Sequence, residues 1–502
     1  MIKIARTENG LVRGTPASDP RIIAFKGVPF AAPPVGNLRW RPPQPATCWT
    51  GVRDCIEFAP ISMQVKPGLN KDDIYTREWN VDPEIPMSED CLYLNIWTPA
   101  ESENDRLPVF VWFFGGGLQV GNTAEMEFDG ERLARRGIVV VTVNYRLNVF
   151  GFLTHPEIIR ENPDAPANFG NLDQQFGLMW TKRNIAAFGG DPENITIGGQ
   201  SAGGGSVLSQ LTCPANKPYI KKAIVDSGIM LNLYAPFRVR LSLEDAAKMG
   251  EEFFRELGVS TLAEARAIPA EVIRDKTSGV RRFWGTVADG IFQTDVAVNN
   301  ILKGNFLDVP ILLGHTRTEF IARPSVKDMD ELKSLAGNMF GSDAGRFLEL
   351  IKADEGFEKA VENASVSGIE FAIRTVCRRL GELGKKGPYY VFEFDPEIPG
   401  WDNPGSFHSS DLWFWFETLA KCWRPFVGKH YDLARHMCNY WANFIKNGDP
   451  NGNDANGAPM ERWDPYTDSN PVYMTLYDAP KAEVRPASDV MEFLINNQLK
   501  KL

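Results

Sequence analysis

The sequence predicts an α/β fold in which a large, mainly parallel central sheet carries helices on both faces, with long loops inserted between elements. Apolar, β-branched and aromatic runs recur along the chain, among them Leu107–Phe114 (LPVFVWFF), Ile138–Asn144 (IVVVTVN) and Tyr389–Phe394 (YYVFEF). Continuous apolar runs of this length suit strands covered on both faces. Segments with helical spacing, such as Asp173–Phe188 and His430–Lys446, lie between such runs, and alternation of strands with helices is the pattern of a parallel sheet. A glycine-rich turn at residues 188–204, FGGDPENITIGGQSAGG, joins an apolar strand to a helix that starts among small residues.

Taken in order, Ala24–Phe30 reads as short strand and turn, and Ala31–Pro43 (AAPPVGNLRWRPP) as an extended, wrapping segment, because such proline density forbids helix or central strand. Residues 60–88 are polar and nearly free of periodicity, a long loop of the kind that carries function or motion. Leu92–Trp97 is a buried strand, and Leu107–Phe114 is another that runs straight into Gly115-Gly116-Gly117. Ile195–Gly198 is the strand ahead of the glycine-rich turn, and Ser206–Leu211 continues the helix beyond it. Lys222–Val225 and Val309–Leu313 are further strands, with a charged, helical stretch at residues 236–280 between them. His430–Lys446 ends at Asn447-Gly448, a helix stop, and Val490–Leu502 is a final amphipathic helix. The length of 502 residues would allow two to four domains. With no repeat, low-complexity tract or linker in view, residues 1–502 are expected to form a single domain.

A net charge of −10 argues against nucleic acid or an anionic membrane as a partner. The N-terminus, MIKIARTENGLVRG, has no apolar signal region, and no apolar run of about 18 residues occurs, so a protein that neither enters a membrane nor is exported is expected. The seven cysteines (48, 55, 91, 213, 377, 422 and 438) are odd in number, widely spread and free of CxxC or zinc spacing. Reduced structural thiols in a cytoplasmic setting are the expectation, with no metal and no cofactor, and a monomer or weak homo-oligomer.

Ser201 stands at the point of the turn, inside Gly199-Gln200-Ser201-Ala202-Gly203, a G-x-S-x-G pattern. A serine that attacks a carbonyl must project from a tight bend, and residues two before and two after it must lack side chains or strand and helix collide. The same glycines could also make a plain loop or a phosphate cradle at a helix N-terminus; the strand before and helix after favour the nucleophile elbow of the α/β-hydrolase fold. The glycines at 115–117 could be a flexible turn, or could turn backbone N–H groups onto an oxyanion.

A serine needs a base, and the base an orienting carboxylate; in this fold the order is Ser, then acid, then His. Of the five histidines, His155 precedes the serine, His430 and His436 share one helix, and His315 leaves little room for an acid before it. His408, in GSFHSSDLWFWF after the Tyr389–Phe394 strand, is the remaining choice. The acid should follow an intervening strand. Glu319, after Pro310–Gly314 in HTRTEF, fits best, with Asp289 and Asp308 as competitors. In this scheme Ser201 attacks an ester carbonyl, His408 takes its proton, Glu319 holds the imidazole, and the N–H groups of Gly116, Gly117 and Ala202 receive the oxyanion.

These residues resemble the type-B carboxylesterases, the group of bacterial para-nitrobenzyl-type esterases, mammalian carboxylesterases and cholinesterases. The resemblance covers nearly the whole chain: FKGVPFAAPPVGNLRWRPP, EDCLYLNIWTP (89–99), NYRLNVFGFL (144–153), residues 170–197 and YWANFIKNGDPNG (440–452) all match. It implies the triad Ser201, Glu319 and His408, oxyanion donors Gly116, Gly117 and Ala202, and a supporting role for Ser227 in the DSG that follows Lys222–Val225. Four positions depart from the family. Gln200 stands where glutamate is usual, which removes a charge near the site and disfavours choline-type cationic substrates. Phe114 replaces His or Tyr before the glycines. Phe320 replaces the glycine after the acid. Cys91 matches a half-cystine of secreted members, while its partner region reads Ile61-Ser62-Met63-Gln64.

The expectation is therefore a serine esterase for a small, uncharged carboxylic ester. Two alternatives are a feruloyl or other plant-polymer side-chain esterase and a non-catalytic binding or adhesion protein on the same fold. The first would use the aromatic run Trp413–Phe416 as an acyl pocket, although such runs more often pack in cores. The loops at 60–88 and 320–345 are expected to shape the entrance.

Overall fold

A computed structural model describes residues 1–79, 81–234, 241–278, 282–454 and 456–502. Its centre is an eleven-stranded sheet: β1 (Thr15–Pro16), β2 (Ile23–Pro29), β3 (Tyr93–Thr98), β4 (Leu107–Phe113), β5 (Val139–Val143), β6 (Gly190–Gln200), β7 (Lys222–Asp226), β8 (Ile311–Thr316), β9 (Tyr389–Phe394), β10 (Val472–Leu476) and β11 (Pro480–Val484). The order across the sheet is β11-β10-β9-β8-β7-β6-β4-β5-β3-β2-β1. The seven strands from β5 to β10 in that order run parallel, while β1, β2, β3 and β11 add antiparallel margins. Every residue of β5, β7, β8, β9 and β10 is buried, which is why these strands read as apolar runs without alternation.

The helices that matter to the site are α1 (Ile74–Glu78), α2 (Phe169–Asn184), α3 (Ala202–Leu211), α4 (Leu243–Leu257), α5 (Met329–Phe340), α6 (Gly368–Glu382), α7 (Gly428–Asn447) and α8 (Asp489–Leu499). The helix expected to stop at Asn447-Gly448 does so, with Gly448 in the left-handed region at φ 77°. Within the charged stretch 236–280, Leu243–Leu257, Leu262–Ala267 and Ala270–Ser278 are helical; residues 236–240 and 279–280 lie outside the described residues.

Two expectations need correction. The stretch 320–345 is only in part a loop: a short strand at Ile321–Ala322 leads to α5, whose first turn is capped by the Asp328 side chain on Glu331 N. Its acidic start and apolar spacing (Leu332, Ala336, Phe340 buried) were the missed helix signals. Nor does Trp413–Phe416 line a pocket. All four residues are at most 1% exposed, with Trp415 stacked on Trp441 at 4.8 Å and Phe416 edge-on to Trp112 at 5.0 Å. The run packs α7 against the sheet.

Because β4, β6, β7, β8 and β9 are parallel, their C-terminal ends lie along one edge, where ligands of open α/β sheets bind. The loops leaving that edge carry Gly115–Gly117, Ser201, Ser227, Glu319 and His408. The sharpest bend is at Ser201, held at φ 57° and ψ −125° between β6 and α3. Its N–H donates to Asp226 O on β7 at 2.9 Å, and its carbonyl accepts Gly205 N at 2.9 Å. The flanking glycines are sterically required. A Cβ on Gly203 would meet Phe113 O at 2.0 Å, and one on Gly199 would meet Gly203 backbone at 2.4 Å. Gly205, two residues further along α3, has room: its nearest neighbour would be Gly228 O at 3.8 Å.

A paired substitution follows. Gly203→Ala should destabilise the fold by about 2–4 kcal/mol, because backbone rather than a flexible side chain must move. Gly205→Ala should leave stability unchanged or raise it by about 0.5–1 kcal/mol, the helix preference for alanine. Urea unfolding of the two variants checks this, and equal midpoints would contradict the close-approach account.

Candidate active site

The structure brings Ser201, His408 and Glu319 into one hydrogen-bonded line. Ser201 Oγ lies 2.8 Å from His408 Nε2, and His408 Nδ1 makes a short hydrogen bond to Glu319 Oε2. This arrangement requires the Nδ1–H tautomer, in which Nδ1 donates to the carboxylate and Nε2 accepts from the serine hydroxyl. The Glu319 side chain is 1% exposed and the His408 ring 15%, so the charge is buried while the imidazole reaches the open side.

An ionised carboxylate at such depth needs donors. Glu319 Oε1 accepts from Ser227 Oγ at 2.6 Å and from Thr316 N at 2.9 Å. Burial works to raise the Glu319 carboxyl, but the charge and hydrogen bond of His408, the Ser227 hydroxyl and nearby His315 together hold it below the ordinary glutamate range. Thr318 Oγ1 donates to Ser406 O at 2.8 Å, tying the turn that carries the acid to the loop that carries the histidine.

Two more carboxyls lie behind the line. Asp226 and Asp411 are both 0% exposed, and among the described residues Asp226 Oδ2 and both Asp411 oxygens have no well-formed hydrogen bond. Their mutual contact is therefore a hydrogen bond only when one of the two carries a proton. Burial, then the neighbouring carboxyls Asp411 and Glu319, push Asp226 well above the usual aspartate range. Burial and Glu319 push Asp411 up to about 7. We read the pair as sharing one proton, which limits the negative charge massed behind His408.

The glycine run is anchored from three sides. Tyr145 Oη donates to Phe114 O at 2.8 Å, and the two rings stack at 4.3 Å, so Phe114 is supported by an aromatic contact where the family uses a polar side chain. Gln64, in the 60–88 loop, accepts from Gly121 N at 2.9 Å and donates to Gly121 O at 3.0 Å. Asn148 N donates to Leu118 O at 2.7 Å. Gly116 and Gly117 take φ 99° and 66°, and a Cβ on Gly116 would sit 2.1 Å from Val120 O. Ala202 is the first residue of α3, so its N–H points out of the helix start beside Ser201. The loop 60–88 also borders the site: α1 places Tyr75 within electrostatic reach of Glu319, and Arg77 pairs with Asp402 of the histidine loop at 3.2 Å.

The residues set aside on sequence grounds have structural work. His430 Nδ1 accepts from Val427 N at 3.0 Å, His155 Nδ1 accepts from Glu157 N at 3.2 Å, and His315 Nδ1 donates to Thr316 O at 3.0 Å. Asp289 accepts from Ile291 N and Gln293 N, each at 2.9 Å, and Asp308 from Tyr389 Oη at 3.1 Å. None of them meets the Ser201–His408 line. Thr316, Thr318, Gln64 and the Asp226–Asp411 pair join the site without any motif that marks them in the sequence. Asp411 was visible only as the acid three residues after His408.

The shared proton has a thermodynamic sign. A carboxyl whose folded pKa is raised contributes stability below its unfolded value near 3.8, and this is lost as pH rises through about 7. Asp411→Asn cannot ionise and gives Asp226 an N–H donor. The melting temperature of the variant relative to wild type should therefore climb between pH 5 and pH 8.5, read by calorimetry; a constant difference would show that Asp411 is not a raised carboxyl.

Comparison with known proteins identifies the family and the fold. Residues 2–494 match the carboxylesterase family. The chain is 31% identical to a cholinesterase of Mus musculus over 94% of its length and 83% of that protein, and 31% identical to a fumonisin B1 esterase of Sphingopyxis macrogoltabida over 91% and 85%. Among solved structures, a PNB esterase superposes with a TM-score of 0.79 at 27% identity, covering 98% of this chain and 99% of that one. A carboxylesterase of Geobacillus stearothermophilus gives 0.76 at 29% identity, covering 99% of both chains. The strand order and the edge that gathers Ser201, Glu319 and His408 thus belong to an α/β-hydrolase fold, and the chain is a carboxylic ester hydrolase of the carboxylesterase family.

Proposed function

We propose that this hydrolase works through an acyl-enzyme on Ser201 and takes small, uncharged carboxylic esters. The observation that carries the reading is the 2.8 Å approach of Ser201 Oγ to His408 Nε2, with Glu319 bonded to the other ring nitrogen. His408 takes the hydroxyl proton as Oγ attacks the ester carbonyl, and Glu319 stabilises the imidazolium that forms. The N–H groups of Gly116, Gly117 and Ala202 receive the oxyanion as the carbonyl carbon becomes tetrahedral. Collapse expels the alcohol, which takes the proton from His408 Nε2. Water then attacks the acyl-enzyme with the same base, releasing the acid and restoring Ser201.

The preference for uncharged esters rests on Gln200. Its buried side chain lies beside His408, with Nε2 3.4 and 3.5 Å from the two ring nitrogens, and it brings no negative charge for a cationic alcohol. The feruloyl reading loses its support with Trp413–Phe416 in the core, and a purely adhesive role gives no reason for a buried acid, an imidazole and a strained serine in register. A reducing, cytoplasmic setting suits the cysteines, all seven of which are free thiols. Among the described residues no helix is long and apolar enough to cross a membrane.

The test is hydrolysis of p-nitrophenyl esters from acetate to decanoate, with ferulate alongside. Ser201→Ala should abolish turnover, and Glu319→Gln should lower kcat about 10³–10⁴-fold through loss of the correct tautomer. Ser227→Ala, which removes one of the donors to Glu319, should cost about tenfold. Full activity in Ser201→Ala would overturn the reading, and a strong preference for ferulate would revive the aromatic alternative.

A further inference from the structure

We propose that Phe320 is a positioning residue that fixes the tilt of the His408 imidazole. This rests on the reading of His408 as the base. Two hydrogen bonds, Nε2 to Ser201 and Nδ1 to Glu319, locate the two ring nitrogens. Hydrogen bonds are soft in angle, so the χ1 and χ2 torsions of His408 still let the ring rock by some degrees about this alignment. Phe320 packs edge-to-face against the imidazole, with centroids 4.7 Å apart and ring planes at 76°. The Gln200 amide, nearly equidistant from both ring nitrogens at 3.4 and 3.5 Å, lies against the ring and along neither N–H axis. A contact from the phenyl and a contact from the amide stop the rocking that hydrogen bonds alone permit. Tilt matters because Nε2 must first face the serine oxygen and then hand its proton to the departing alcohol oxygen, two targets a short swing apart.

The backbone supports the assignment. Phe320 sits at φ 45°, in the left-handed region where glycine is at ease and a phenylalanine is strained. Such strain persists only where the surroundings impose it, and it clusters at functional sites. Here the imposition is visible. Gly368 N at the start of α6 donates to Phe320 O at 3.0 Å, a Cβ on Gly368 would meet that same oxygen at 3.0 Å, and Ile321–Ala322 pairs with Val366–Ser367 directly beyond. The chain is thus held in a conformation that glycine would adopt freely, with a half-buried aromatic side chain in its place, directed at the imidazole.

Three substitutions separate ring from backbone. Phe320→Ala removes the ring and keeps the strain, Phe320→Gly removes both, and Phe320→Tyr keeps both. With p-nitrophenyl acetate, the Ala and Gly variants should lose kcat about tenfold each with KM within about twofold of wild type, and Tyr should restore it. Labelling of Ser201 by a fluorophosphonate should slow in parallel without loss of final stoichiometry. Thermal melting should rank the Gly variant above the Ala variant, because only glycine relieves the positive φ. Wild-type kcat in both variants, or a kcat that follows melting temperature instead of the ring, would overturn the inference; the Gly variant alone decides the matter should the Ala variant fail to fold. His408→Ala is run beside them: turnover surviving in that variant would remove the base assignment itself, which is a different failure.

Discussion

The constraint on which this structure depends is the close passage of backbone past backbone at the strand-to-helix bend. Ser201 is held in a conformation that its own side chain disfavours, and it stays there because Gly199, Gly203 and the Phe113 carbonyl nearly touch. Everything else is arranged around that point. The neighbouring strand receives the Ser201 N–H through Asp226 O, the glycine run after β4 comes alongside, and the loops after β8 and β9 bring the Glu319 carboxyl and the His408 imidazole into line with the Ser201 hydroxyl. A helix that begins directly at the serine also leaves its first N–H groups without intrahelical partners, which suits a developing anion.

Charge is managed as tightly as shape. Three carboxyls crowd behind one imidazole, and in a medium of low polarity they cannot all ionise. Glu319 is the one with donors from Ser227, Thr316 and His408, so it carries the charge. Asp226 and Asp411, whose facing oxygens have no hydrogen-bond partner among the described residues, are pushed upward by burial and neighbouring carboxyls, which favours a proton held between them. The division places one charge beside the imidazole, and DSG at the end of β7 serves it three ways: the Ser227 hydroxyl donates to Glu319, the Asp226 carbonyl accepts the Ser201 N–H, and the Asp226 carboxyl faces Asp411. Gln200 fits the same economy, since a further buried negative charge at that position would compete with Glu319.

The parts legible in the sequence were those in which one residue type is physically required. Gly199 and Gly203 could be inferred from the bend itself, the parallel strands from apolar runs without alternation, and His408 from the shortage of histidines in the right order. Glu319 was separated from Asp289 and Asp308 only by its strand; in the structure Asp289 holds its own turn and Asp308 receives the Lys386 and Gly387 N–H groups. The supports of the site were not legible. Thr316 acts through its backbone N–H, which every residue but proline possesses. Gln64 lies in a loop with no periodicity and touches Gly121 across 57 positions of chain. Trp413–Phe416 could equally have lined a pocket or filled a core, because composition is the same for both and only the packing partners Trp441 and Trp112 decide. The helix at Met329–Phe340 was passed over although its cap and spacing were present.

The most direct test of the account is to quench the enzyme with acid during turnover of p-nitrophenyl acetate and locate the acetyl group by peptide mass spectrometry. The expected result is an acetyl adduct on the peptide bearing Ser201, formed in step with a burst of p-nitrophenol and lost again as substrate is exhausted. Steady turnover with an acetyl group found elsewhere, or with no burst and no adduct even when deacylation is slowed, would contradict it and place the chemistry on a route that bypasses the elbow.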